Sequence, residues 1–68
     1  MRTLTHKQTQ SLINTNYKLR QENAMAREGI KIHSDEVVVK VLKNSIKKNE
    51  VIINANNFVM SEYVTILN

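Results

Sequence analysis

No cysteine occurs among the 68 residues, and that absence constrains the fold more than any residue that is present. A chain of this length makes one domain at most. So small a domain buries only about 60% of the surface its unfolded chain exposes. One such core rarely supplies more than about 3–5 kcal/mol, so small domains add disulfides, a metal or oligomerisation. Disulfides and thiolate zinc sites are excluded here. Residues 1–68 are therefore expected to form a single small domain completed by oligomerisation, with a homodimer the commonest arrangement.

The lack of cysteine is compatible with a reducing cytoplasm. Apolar runs such as Val37-Val38-Val39 and Val51-Ile52-Ile53 reach only three residues, far short of the roughly 20 needed to span a bilayer. Thr9-Gln10-Ser11 stands where a secretory signal would need an apolar stretch. The expectation is a cytoplasmic chain with no membrane partner.

The formal net charge is +4. Residues 1–33 carry +4, residues 34–49 carry +2, and residues 50–68 carry −2. The basic part is thus the first two-thirds, and the tail is apolar and slightly acidic. There is no proline, and Gly29 is the only glycine. Turns are left to Asn, Asp and Ser.

The first helix is expected over about 5–28. Thr5 followed by Gln8 is a capping-box pair, and Gly29 stands where a helix usually ends. At about 100° per residue, Leu12, Leu19 and Ala26 fall on one line. Ile13, Tyr17 and Ala24 fall on a second line about 120° away. Two apolar lines predict contact with two neighbours. Ile30 to His33 alternates like a short edge strand. Ser34 is a good N-cap, with Asp35 and Glu36 at the positive end of a helix dipole. The second helix is expected over about 35–48, with Val38, Val41, Leu42 and Ile46 on one face and Lys40, Lys43 and Lys47 on the other. The tail, about 50–67, is rich in β-branched and aromatic residues that suit a pleated surface. With Asn56-Asn57 as its turn, it is read as a β-hairpin-like element. The expected fold class is α+β, mainly helical. The alternative is ribbon-helix-helix-like, with residues 30–33 as the ribbon and a third helix in place of the hairpin.

Little here carries bond-making chemistry. His33-Ser34-Asp35-Glu36 has the residue types of a metal or acid–base site, but helix capping already accounts for three of the four. No phosphate loop, nucleophile elbow, zinc pattern or calcium loop is present. No catalytic or metal residue and no cofactor is assigned, and the chain is read as non-enzymatic. The first function expected is a regulatory or accessory role exerted by binding another protein, with Leu12, Tyr17 and Leu19 as contact residues. The alternative is a sequence-specific DNA-binding repressor of β-ribbon type. It would present Lys31 and His33 to bases and Lys40, Lys43 and Lys47 to phosphates. The small, Asn- and Lys-rich composition also suits a phage accessory protein.

Overall fold

Thr5 begins the first helix as its spacing to Gln8 predicts. The Thr5 backbone N–H donates to Gln8 Oε1 at 2.9 Å, and the Gln8 N–H donates to Thr5 Oγ1 at 3.1 Å. Two otherwise unpaired amides of the first turn are satisfied reciprocally. The computed structural model describes residues 3–66. From the cap, α1 runs His6–Ile32 and α2 runs Glu36–Glu62, with short strands β1 (Thr3–Thr5) and β2 (Val64–Ile66) at the two ends. Three residues join the helices, so α2 folds back along α1 as an antiparallel hairpin. Each helix is about 40 Å long at 1.5 Å per residue, and the longest extent of the molecule is 49 Å. The two strands pair in parallel, with Leu4 opposite Thr65. They clip the open end of the hairpin, where Leu4 is one of only two buried apolar residues among those described.

Most of the expected C-terminal element is helix. Residues 50–62 continue α2 without a break. Only Val64–Ile66 is extended, and it pairs with β1 instead of folding back on its own segment. Leu67, the last residue of the expected hairpin, lies outside the described residues. The β-branched run Val51-Ile52-Ile53 is overridden by tertiary spacing. Leu42, Ile46, Asn49, Ile53, Asn56 and Met60 alternate at intervals of four and three, and all six are buried or half-buried. That spacing is a coiled-coil seam. Ile53 is its buried apolar member. Asn56 makes no turn. Its amide donates 2.9 Å across the hairpin to Asn16 Oδ1, a bond that exists only if the segment stays helical.

The ribbon of the alternative is also absent. Ile30 to Ile32 form the last turn of α1, and His33 is its C-cap, its N–H bonded to the Gly29 carbonyl at 3.0 Å. Gly29 therefore does not end the helix. A Cβ there would sit 3.0 Å from Leu42 Cδ1, so the glycine leaves room for the tip of that side chain beside the loop. The second helix begins one residue later than expected. Asp35, not Ser34, is its N-cap, accepting from the Val37 N–H at 2.9 Å.

Candidate functional site

The seam between the helices is built from amides as much as from hydrocarbon. On α1 the positions Thr9, Leu12, Asn16, Leu19, Asn23, Ala26 and Ile30 repeat at intervals of three and four, and each is buried or half-buried. Asn16 and Asn23 are only 2% and 3% exposed. Burying a carboxamide without partners is costly, and here each finds them across the hairpin. Asn16 Nδ2 donates to Asn57 Oδ1 at 3.0 Å, while Asn16 Oδ1 accepts from Asn56. One heptad further along, Asn49 Nδ2 donates to Asn23 Oδ1 at 2.9 Å and to Glu22 Oε2 at 3.2 Å. Asn16 with Asn56, and Asn23 with Asn49, lie in one antiparallel register. A slip by a turn would part both pairs and strand buried amides, so these layers specify register. Among the described residues no buried side-chain nitrogen or oxygen lacks a hydrogen bond.

This polar seam leaves large apolar side chains outside. Among the described residues only Leu4 and Ile53 are buried and hydrophobic, whereas Ile13, Tyr17, Met25, Ile32, Val37, Val41, Val51 and Phe58 are exposed. Scattered exposed hydrophobes are ordinary, but six of these eight are ordered. Ile13 and Tyr17, one turn apart on α1, are 46% and 62% exposed. On α2, Val37, Val41, Val51 and Phe58 are 61–70% exposed. With Asn44, Lys48 and Ala55 they repeat at intervals of four and three. Helical phase places this stripe roughly 140° round the helix from the seam.

The residues expected to contact a protein are divided by the fold. Leu12 and Leu19 are half-buried in the seam against α2, and Tyr17 is exposed on the second line. Tyr17 Oη accepts from Gln21 Nε2 at 3.0 Å. Arg20, on the same side, makes no ion pair among the described residues; it lines an open depression with Asn23, Arg27, Glu50, Ile53 and Asn54. Arg27 is paired with Glu50 at 3.3 Å, an exposed bridge worth a few tenths of a kcal/mol.

The residues expected to contact nucleic acid are likewise separated. Lys31 is exposed in the last turn of α1, 3.4 Å from Glu28, and His33 is exposed at the cap. Lys40, Lys43 and Lys47 do form one row on α2. They line an open depression of about 430 Å³ with Ser34, Glu36, Val39 and Asn44. Glu36 in that row reduces its positive character. Among the described residues no three His, Asp or Glu side chains converge as metal ligands would, and no helix is long and apolar enough to cross a membrane.

Two features escaped the sequence reading: the asparagine layers and the outer stripe of α2. Both carry a signal in retrospect. Asn16 and Asn23, and Asn49 and Asn56, are seven apart, and seven-residue spacing is the mark of a helical seam. The stripe is hard to see in the sequence because its second half lies in a segment rich in strand-favouring residues, and the spacing of Val41 with Val38 and Leu42 fits the inner face. No family model, no curated protein and no solved structure is detectably similar to the chain.

Proposed function

We propose that the chain is a non-enzymatic regulatory or accessory protein that works as a homodimer and binds another protein through the exposed line of α1. The observation that carries this reading is the inversion of its apolar surface: among the described residues two hydrophobic residues are buried, while eight large ones are exposed and six of those fall in two ordered lines. Tyr and Arg are over-represented among residues that dominate binding energy. Tyr17 offers a rigid, amphipathic ring. Ile13 adds apolar area beside it, and Arg20, which has no ion pair among the described residues, supplies a guanidinium for a carboxylate. The formal charge of +4 steers such a surface toward an acidic partner.

The test is a binding measurement on that line. The chain is recovered from its host with a photoreactive residue at position 17, the cross-linked protein is identified, and its affinity is titrated with purified components. Tyr17→Ala should weaken binding at least tenfold with helicity unchanged. Binding indifferent to both Tyr17→Ala and Arg20→Ala, or a cross-link to nucleic acid instead of protein, would overturn the proposal.

The DNA-binding alternative has lost its reading element, since Lys31 and His33 end a helix. What supports it now is the row Lys40, Lys43 and Lys47, which suits phosphate contacts without base readout. Such binding would weaken steeply with salt.

A further inference from the structure

We propose that the outer stripe of α2 is where a second copy of this chain docks, with the two α2 helices antiparallel. The proposal rests on the homodimer put forward above and names its face and geometry.

Area supports it first. A compact folded monomer of 7.9 kDa exposes about 4,400 Å² by size scaling. This chain exposes 5476 Å², an excess of about 1,100 Å² over that scaling. A standard stable interface takes roughly 800 Å² from each partner. Shape agrees: the radius of gyration is 15.4 Å, against about 11 Å for a compact domain of this length. The hairpin is a rod with room for one such contact along its side.

Spacing says what kind of surface fits. Val37, Val41, Asn44, Lys48, Val51, Ala55 and Phe58 follow the four–three alternation that accepts the knobs of another helix. A second α2 carries the complementary ridges by identity, so the contact can be isologous and closed. Charge then selects direction. A parallel pair would set Lys48 against Lys48 at mid-stripe, whereas an antiparallel pair in the register that faces position 41 with position 58 sets Lys48 beside Val51 of the second copy, its stem lying along apolar surface. The antiparallel pair also brings Val41 against Phe58 of the second copy. It places Lys40 near the second copy's Glu62, and neither residue has an ion pair among the described residues.

The native chain has no cysteine, so engineered thiols report the geometry directly. Val41→Cys combined with Phe58→Cys should give a covalent dimer under mild oxidation. Val41→Cys alone should not, because in the antiparallel pair the two positions lie about 26 Å apart along the axis and a disulfide needs Cα atoms within about 7 Å. Val51→Asp should run as a folded monomer with the helicity of the wild type. Rapid linking by Val41→Cys alone would overturn the antiparallel arrangement. A dimer that survives Val51→Asp and forms no cross-link would overturn this face while the dimer itself stands. A monomeric wild type would overturn both.

Discussion

Replacing Asn16 by alanine perturbs the seam at its most buried point. The Asn16 carboxamide gives one hydrogen bond to Asn57 and takes one from Asn56, at 3.0 and 2.9 Å. Each such bond is worth about 1 kcal/mol net. Asn57 is exposed, so its oxygen returns to water at little further cost. Asn56 is half-buried, so its amide loses an acceptor without full access to solvent, adding up to about 1 kcal/mol. Alanine returns about 0.5 kcal/mol of helix propensity. The expected loss is about 2 kcal/mol. Urea unfolding followed by far-ultraviolet circular dichroism reads it, at one fixed protein concentration because association adds to apparent stability. With a slope of about 1 kcal/mol per molar for a small chain, the midpoint should fall by about 2 M. Asn14→Ala is the control. That side chain is exposed and accepts only from Gln10 on its own helix, so its change should stay within about 0.5 kcal/mol. Equal midpoints for the two variants would refute the cross-hairpin amide layer. The paired change Asn16→Leu with Asn56→Leu should be neutral or stabilising, because both polar partners leave together.

Three further outcomes follow from the same geometry. Ile53→Ala should cost about 2–4 kcal/mol, since it empties the one buried apolar site of the α2 seam; thermal unfolding checks it. Thr5→Ala should cost about 1 kcal/mol by removing half of the capping box, and a value near zero would mean that the first turn is held by other contacts. Val51→Pro should remove about 3 kcal/mol or more and a large part of the helical signal, because position 51 lies in mid-helix. Retention of full helicity would return the tail to an extended structure.

How much of this was legible follows from which signals were local. Thr5 with Gln8 is a local signal, and it placed the start of α1 within a residue. Asp35 and Glu36 marked the start of α2 just as closely, although the cap proved to be Asp35. The end of α2 was not local. Val51-Ile52-Ile53 is β-branched, Phe58 to Leu67 is rich in strand-favouring side chains, and Asn56-Asn57 resembles a turn. What holds residues 51–62 helical is the matching row on α1, where Asn16 offers an oxygen to Asn56 and Leu19 lies in the row facing Ile53. Propensity yields to such long-range pairing. The second apolar line of α1 was visible as Ile13 and Tyr17, and it does remain uncovered. Leu12 and Leu19 were equally visible as apolar, but which line would be taken by α2 depended on a partner helix thought to end at about residue 48.

This hairpin, thin in core and rich in exposed hydrophobes, is proposed to be completed by a second copy. Sedimentation equilibrium of the wild type at micromolar concentration tests it most directly. The expected mass is about 15.8 kDa, twice the 7.9 kDa chain, falling to the single-chain value in Val51→Asp. A cooperatively folded wild type sedimenting at 7.9 kDa would contradict it.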